Sequence, residues 1–366
     1  MPTSDQWLQV RAYLGEHRHV LTLKATAEYP DIPKVAGTSL LTDPLWTPSA
    51  PIPLADIGLQ HQTGHDFHGV DGTEGFAVAH LPDDTQGHHY RSYSAAMADL
   101  AAPSVFQNRS TYRLLDADLT TSTGRLLFGS GTYFDGIDVG EASAHEFAAR
   151  ELGLVDDLKL REAIGAPCDP ARRPTNVAIS TLTLRHDREA GTAQFFLHWR
   201  DPKRVGHAGG LYQVLPVGIF QASSDESWNQ DNDFDLWRCM VREFSEELLG
   251  TSEEHGSDQA PIDYETWPFA AQITQELGTG VRAYYLGMGV DPLTLATDML
   301  TVAVVDAPLF DTLFGNIVET NDEGRILKAQ RFTEDTVGRF AHKEPTQAAG
   351  AALLALAWSH RDALLS

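Results

Sequence analysis

Three glutamates close together in the chain are the residues best suited to do chemistry. Glu243, Glu246 and Glu247 are separated by three and four residues within one apolar-periodic segment. At about 3.6 residues per turn, this spacing puts all three carboxylates on one side of one helix. Like charges this close repel one another unless a cation lies among them. Carboxylate oxygens suit a hard ion, so the pattern favours Mg²⁺ or Mn²⁺. The alternative is an acidic, solvated helix face with no ligand.

The elements around these glutamates are predicted to position them. An apolar stripe at every fourth residue, Leu236, Met240, Phe244 and Leu248, predicts a helix from about 235 to 249 that packs on a sheet, with Asp233 as its N-cap. Ahead of it, residues 211–220 read as a strand that ends in a tight turn at 216–218. Two β-rich runs precede this strand, and two apolar runs after the helix look like buried strands.

This part of the chain resembles a known family. The string REFSEELLG at 242–250 is similar to the second half of the Nudix box, the Arg-Glu-x-x-Glu-Glu helix of Nudix hydrolases, and YQVLPVGIF resembles the strand and turn before it. The similarity covers roughly 176–327. It implies an α/β (α+β) fold: a Nudix-like α/β/α sandwich with a mixed sheet, accompanied by an N-terminal α+β domain.

The resemblance also implies roles for individual residues. Glu246 and Glu247 would bind the metal, Glu243 would bind it or orient water, and Arg242 would hold Glu243 by a charge-assisted hydrogen bond. Gly218 would take the place of a turn glycine. Tyr212 and Trp228 could stack on a nucleobase or another flat ring, with core packing as the alternative for each. The general base is assigned to Glu319, with three acidic residues as rivals: Glu265, Glu276 and Asp306.

The loop half of the box departs from the family pattern. Residues 223–233 form an acidic insertion, Val217 replaces a turn glycine, Gly250 falls one position late, and no glutamate occupies the expected slot before the helix. The predicted function is Mg²⁺- or Mn²⁺-dependent hydrolysis of a nucleoside diphosphate linked to another moiety, such as ADP-ribose, a dinucleotide or a nucleotide sugar. The alternative is a non-catalytic module that senses a nucleotide-type ligand or interacts with a protein. An isomerase acting on a diphosphate ester is a third hypothesis.

The chain is long enough for more than one domain. We predict an N-terminal α+β domain at 1–170, a Nudix-like domain at 171–345 and a C-terminal helix at 346–366, with a proline-rich linker at 167–174. The N-terminal domain is interpreted as a scaffold, or as a degenerate copy of the Nudix-like one. The apolar C-terminal helix is expected to dock on the core or on a second subunit, which leaves a homodimer open.

Within the N-terminal part, Ser4 is predicted to cap one helix, or two broken near Gly15, followed by an extended proline-rich segment anchored by Leu45 and Trp46. Strands are predicted at 111–119 and 124–139. Six histidines between 61 and 89 could hold a metal. Because glycines interrupt this segment, a solvated loop is the favoured interpretation.

Composition limits the partners. The formal charge of −24 argues against direct binding to a nucleic-acid backbone, whereas nucleotides remain compatible through a bound metal. No apolar run is long enough to cross a membrane, and no signal-peptide pattern is evident, so we expect a soluble, cytoplasmic protein with a small nucleotide-type substrate or ligand. The two cysteines provide no disulfide framework.

Overall fold

The computed structural model of the chain describes residues 2–103, 105–200, 210–252, 255–315, 324–326 and 328–366. The helices in these ranges are α1 (Ser4–Ala25), α2 (Gly75–Val78), α3 (Tyr93–Leu100), α4 (Tyr133–Gly136), α5 (Ala142–Glu151), α6 (Lys159–Ile164), α7 (Ser227–Asn232), α8 (Leu236–Leu249), α9 (Pro268–Gln275), α10 (Ala307–Phe314), α11 (Glu334–His342), α12 (Ala348–Ser359) and α13 (Arg361–Leu364). The strands are β1 (Ile52–Pro53), β2 (Gly58–His61), β3 (Ser110–Asp118), β4 (Arg125–Thr132), β5 (Val177–Asp187), β6 (Thr192–Phe195), β7 (Leu197–Arg200), β8 (Tyr212–Val214), β9 (Val217–Ile219), β10 (Val281–Val290), β11 (Thr297–Asp306), β12 (Gly324–Ile326) and β13 (Gln330–Arg331).

The main sheet is mixed and has β5 and β11 at its centre. Its strand order is β1-β10-β11-β5-β6-β13, with β5 and β11 parallel and the other neighbours antiparallel. The short strand β9 pairs antiparallel with the beginning of β5, through the register Ile179↔Gly218. Residues 217 and 218, predicted as part of a turn, are therefore strand residues fixed to the middle of the sheet.

Helices cover both faces of this sheet. Successive side chains of a strand point to opposite faces, so each face packs against its own layer of helices. On one face, Ile179 shares a buried cluster with Phe244 of α8 and Phe310 of α10. On the other face, Leu182 is buried with Leu353 of α12. The predicted α/β/α sandwich with a mixed sheet is confirmed.

The N-terminal part of the chain contributes to the same core. Its small sheet has the order β2-β4-β3. Tyr112 and Phe128 of this sheet pack on Phe220, with ring centroids 4.7 and 5.2 Å apart. β1 pairs with β10 in the main sheet. A buried cluster thus crosses the predicted boundary near residue 170, and separate folding of the two parts stays a prediction.

The segment interpreted as a linker is packed. Arg173 is buried and donates to the Pro167 carbonyl at 3.2 Å and to Thr297 Oγ1 of β11 at 2.9 Å. A buried cation satisfied in this way ties the segment to the main sheet. The segment 167–174 is therefore packed against the main sheet, and its role as a linker between domains stays a prediction.

Three local predictions need correction. α1 is a single helix through Gly15, and its N-cap is Thr3, which forms a capping box with Gln6, rather than Ser4. Residues 133–139, predicted as strand, are helical: Thr132 and Asp135 form a capping box that begins α4, and a π-helical turn at 137–141 leads into α5. In the proline-rich segment Trp46 is buried as expected, but Leu45 is half exposed.

The C-terminal helix is predicted correctly in position but breaks near its end. α12 and α13 are separated at His360, and Leu353 and Leu354 of α12 are fully buried. The helix docks on the core of its own chain. Within the described ranges, no helix has the length and apolar character needed to cross a membrane.

Candidate functional site

The acidic helix α8 is well delimited. Asp235 caps its N-terminus by accepting a hydrogen bond from the Arg238 backbone N–H at 2.9 Å. Gly250 ends it with a left-handed φ of 70°, a conformation that glycine adopts without strain. Phe244 and Leu248 are buried on the sheet, as the apolar stripe predicts. The predicted helix is thus present, although Asp233 is not its cap.

Glu243 lies directly on β9 at Gly218. A Cβ atom added at Gly218 would be 2.0 Å from the Glu243 carboxylate carbon, so the carboxylate would have to move. Glycine at this position leaves room for the carboxylate where it lies in this structure. The strand-turn and the helix therefore bring Gly218 and Glu243 together.

Glu247, one turn further along α8, faces the same strand. It is 7% exposed, and its Oε1 accepts a hydrogen bond from the Val217 backbone N–H at 3.2 Å. Glu246 is half-buried. Glu243 and Glu247 thus share the side of α8 that faces β9, in agreement with their four-residue spacing.

Carboxylate oxygens are the donors that a hard divalent cation requires. Within the described part of the chain, however, no three His, Cys, Asp or Glu side chains are gathered closely enough to hold a metal ion. Glu243 and Glu247 instead contact the backbone of β9. The donor chemistry therefore fits Mg²⁺ or Mn²⁺, whereas a gathered three-ligand site is not present among these residues.

Arg242 has a different partner from the one that the resemblance implied. Its guanidinium is buried and donates to the Tyr264 hydroxyl and to the Gln221 carbonyl, each at 2.7 Å, and lies 3.4 Å from Asp233 Oδ1. Burial opposes its charged form, but Cys239, Tyr264 and Asp233 outweigh this and raise the pKa of Arg242. None of the described contacts of Arg242 is with Glu243. The expected hydrogen bond between these two residues is therefore wrong.

Asp233 is the central residue of this hydrogen-bond network. It is fully buried, its Oδ2 accepts from the Ser223 N–H at 2.8 Å and hydroxyl at 2.5 Å, and its Oδ1 accepts from Tyr264 at 2.7 Å. The network joins both ends of the insertion to α8. Sequence reasoning missed Asp233 and Tyr264 as a pair because their contact spans 31 residues.

The acidic insertion is not an irregular loop, since it contains α7. Asn229 of α7 is buried and donates to the Ser257 carbonyl at 3.0 Å and to Ser224 Oγ at 2.6 Å. Trp228 donates its indole N–H to the same carbonyl at 3.1 Å, yet 42% of the residue is exposed. Its surface is open to a flat ligand, and its role in binding stays a prediction.

Tyr212 lies away from the acidic helix. It stacks edge-on against Phe340 of α11 at 5.3 Å, and its backbone bonds to Pro345 and Gln347. This contact is core packing against the C-terminal helices. The structure gives no support to a substrate-binding role.

The predicted general base, Glu319, lies outside the described residues. Each of the three alternative bases either contacts another side chain or is exposed to solvent. Asp306 pairs with Arg188 at 2.8 Å, Glu276 accepts from Thr279 Oγ1 at 3.2 Å, and Glu265 is exposed. No described contact assigns any of them to proton transfer.

The histidine-rich segment also has local contacts. His61 packs edge-on against Phe234, with centroids 5.6 Å apart, whereas His88 and His89 lie beside Asp84 and Asp83. No three-residue metal group involves any described histidine.

An open groove of about 690 Å³ lies at the N-terminal end of α8. Leu59, Phe234, Trp237, Leu277 and Tyr284 are among its lining residues, and the described part of this lining does not include Glu243, Glu246 or Glu247. The groove is therefore separate from the acidic side of the helix.

No protein-family model matches the chain, and no curated protein matches it. Among solved structures, the chain is similar to a MutT/nudix family protein from Enterococcus faecalis, with 12% identity and a TM-score of 0.28. The similarity covers 52% of this chain and 63% of that protein, so the chain spans less than two thirds of its length.

Proposed function

We propose that the chain is a Nudix-type hydrolase that cleaves a nucleoside diphosphate linked to another moiety. The observation that supports this proposal is the position of Glu243 on Gly218 together with the bond from Val217 to Glu247. Both carboxylates face β9, the short strand before α8, and the resemblance places a strand and turn at this position. The proposal includes the predicted cytoplasmic location. It also leaves a homodimer open.

In this proposal each residue has a separate task. Glu243, Glu246 and Glu247 would hold Mg²⁺ or Mn²⁺, and the bound ion would neutralise the diphosphate and lower the pKa of a water molecule. Gly218 leaves the space that Glu243 occupies. Arg242 and Asp233 fix α8 to the insertion and so position the glutamates. Trp228 offers a stacking surface, and Glu319 stays the predicted base.

A substrate panel tests the proposal. ADP-ribose, NADH and UDP-glucose are incubated separately with the purified chain and Mg²⁺, Mn²⁺ or EDTA, and the products are identified by mass spectrometry. We expect a nucleoside monophosphate from at least one substrate with a divalent ion and none with EDTA. Absence of turnover across the panel with both ions would overturn the hydrolase proposal.

The second candidate is a ligand-binding module without catalysis. The observation that favours it is the lack of a gathered three-ligand group among the described residues, together with the engagement of Glu247 by a backbone N–H. Calorimetry on the same compounds, followed by mass spectrometry of the recovered ligand, separates the two functions. Saturable binding with the ligand recovered intact in the presence of Mg²⁺ supports the module.

A further inference from the structure

The small sheet of the N-terminal part has an open edge at β2. Its strand order is β2-β4-β3, so β2 lies at one end and pairs only with β4, in parallel. Gly58 and Gln62 donate their N–H groups to carbonyls on the β4 side, each at 2.7 Å. Since backbone groups alternate in direction along a strand, Leu59 and His61 direct their N–H and C=O groups away from β4.

These outward groups have no partner in the described part of the chain. Neither Leu59 nor His61 exchanges a backbone hydrogen bond with another described residue on this side. The strand, Gly-Leu-Gln-His, carries no lysine, proline or bulge, which are the features that usually protect an exposed edge. Leu59 is half-buried and His61 is exposed. Two N–H and two C=O groups at alternate positions are therefore a template for one further strand.

The open groove of about 690 Å³ at the N-terminal end of α8 lies beside this edge. Leu59 lines it, and no described residue of β4 takes part, so the groove is on the outward side of β2. Phe234, Trp237 and Tyr284 supply its aromatic surface, and the His61 ring packs on Phe234. Every second side chain of a strand added to β2 points to this face. The groove therefore favours apolar side chains at alternate positions of the added strand.

The charges along the edge favour a basic partner. Residues 52–66, which include β2, contain the exposed Asp56 and Asp66 and no lysine or arginine. Across the groove the lining carries one charge of each sign, on Asp235 and Arg282. The charged residues next to this wall are balanced as well: Glu276, Arg238 and the ion pair of Arg188 with Asp306. The net attraction for a cation thus comes from the edge segment.

We propose that β2 binds an extended segment of a partner protein as an additional strand. The segment has apolar side chains at alternate positions, which enter the groove, and a lysine or arginine near Asp56 or Asp66. In this mode the backbone hydrogen bonds supply affinity and the groove selects the side chains. The proposal does not depend on the hydrolase, because the groove is separate from the acidic side of α8.

A synthetic pentapeptide tests the proposal by NMR on the whole chain labelled with ¹⁵N-histidine. The probe is acetyl-Lys-Val-Thr-Val-Lys-amide. The backbone amide signal of His61, one of fifteen histidines, is identified by its absence in His61→Ala. We expect a saturable downfield shift of this signal, because its N–H gains a carbonyl acceptor. An unmoved His61 signal up to the solubility limit of the peptide overturns the proposal.

N-methylation of the peptide distinguishes strand pairing from other modes of binding. One methylated probe lacks the N–H groups of both valines, and the other lacks those of both lysines and the threonine. Only one of these two sets faces β2 in an added strand. We expect that probe to lose affinity by about tenfold or more and the other to retain it. Equal affinities of the two methylated probes overturn the proposal.

Replacement of both lysines of the probe with glutamate tests the charge of the partner. We expect affinity to fall by about threefold or more at low salt, because the glutamates meet Asp56 and Asp66. Equal or tighter binding of the glutamate peptide contradicts a basic partner.

His61→Pro tests the edge from the side of the protein. Proline removes the outward N–H and is tolerated where that N–H faces solvent. His61→Ala is the matched control, since it removes the same side chain and keeps the N–H. Fluorescence anisotropy of a fluorescein-labelled probe should show affinity about tenfold weaker for His61→Pro than for His61→Ala. Equal affinities contradict pairing at β2. If His61→Pro does not fold, the two methylated probes on the wild type decide the proposal.

Discussion

At the scale of single residues, the ion pair of Asp233 and Arg242 determines how the candidate site is held. Both side chains are almost completely buried, and Asp233 accepts hydrogen bonds from Ser223 and Tyr264 as well. Removing one charge of a buried pair leaves the other uncompensated, which is much more destabilising than loss of a surface pair. The network is therefore a structural anchor of α8.

Asp233→Asn should lower the free energy of unfolding by roughly 3–5 kcal/mol, because it leaves the buried Arg242 cation without its partner. Asp235→Asn makes the same chemical change two residues away, at the N-cap, where asparagine is as effective as aspartate, so we expect little loss. Urea unfolding of both variants measures the difference. A larger loss for Asp235→Asn than for Asp233→Asn would show that the anchor is misassigned.

Asp298 in the main sheet predicts a pH dependence. Burial raises the pKa of Asp298 to about 7, the negative charge of Asp291 adds to this, and the hydrogen bond from Ser180 opposes it. Between about pH 4 and 7 the folded state then holds a proton that the unfolded state has lost. The stability contributed by the protonated group is present below this window and is lost as pH rises through it.

Asp298→Asn should abolish this part of the slope, because an amide resembles the protonated carboxyl group and keeps an acceptor for Ser180. Relative to the wild type, we expect the variant to gain roughly 2–4 kcal/mol between pH 5 and pH 8. Urea unfolding at the two pH values measures the gain. A constant difference between the two proteins would contradict the assignment.

At the scale of residues, the sequence predicts relations between residues that are close together in the chain. The spacing of Glu243 and Glu247 correctly predicts that they share one helix side. Gly218, predicted as a turn residue, lies instead in the middle of β9. The partner of Arg242 could not be predicted, because Asp233 and Tyr264 approach it only after the insertion folds.

At the scale of elements, helix α8 and the central strands follow from apolar periodicity, which is strong where one face is buried. The strand predicted at 133–139 is wrong because the alternation of apolar and polar residues continues past the end of β4. The Thr132–Asp135 capping box was a signal in the sequence that a helix begins there. The insertion was read as a loop since its acidic composition hides α7. Helix termini that depend on capping residues can therefore be tested directly by substitution.

Two glycines should respond to alanine with opposite signs. Gly250 ends α8 at a φ of 70°, where a side chain is strained, so Gly250→Ala should cost about 1 kcal/mol. Gly338 lies inside α11, and a Cβ atom there would meet nothing within 4 Å. Gly338→Ala should therefore stabilise by about 0.5–1 kcal/mol. Thermal unfolding of both variants measures the two shifts, and shifts of the same sign would contradict these helix boundaries.

At the scale of the whole molecule, the main sheet needs both helical layers. α12 closes one face with Ala352, Leu353 and Leu354, all fully buried. The sequence predicts this apolar helix but not its partner, since an apolar surface fits a core or a second subunit equally well. In the structure the partner is the chain's own sheet.

Ala352→Glu should destabilise the protein by more than about 4 kcal/mol, because it introduces an unpaired charge into a closed core. Ser359→Glu adds the same side chain at the exposed end of α12 and should change stability by less than about 0.5 kcal/mol. Circular dichroism and urea unfolding measure both. A folded Ala352→Glu protein of wild-type stability would contradict the docking of α12.

Activity of Glu247→Gln on the substrate found in the panel is the most direct test of the proposed hydrolase. Glutamine retains an oxygen that can accept the Val217 N–H, so the fold should persist, with a melting temperature within a few degrees of the wild type. Loss of the negative charge should lower kcat/KM with Mg²⁺ by about a hundredfold or more, or about 2.7 kcal/mol. Glu334→Gln, an exposed glutamate of α11, should retain full activity. Undiminished turnover by a folded Glu247→Gln protein would contradict the assignment of catalysis to the acidic side of α8.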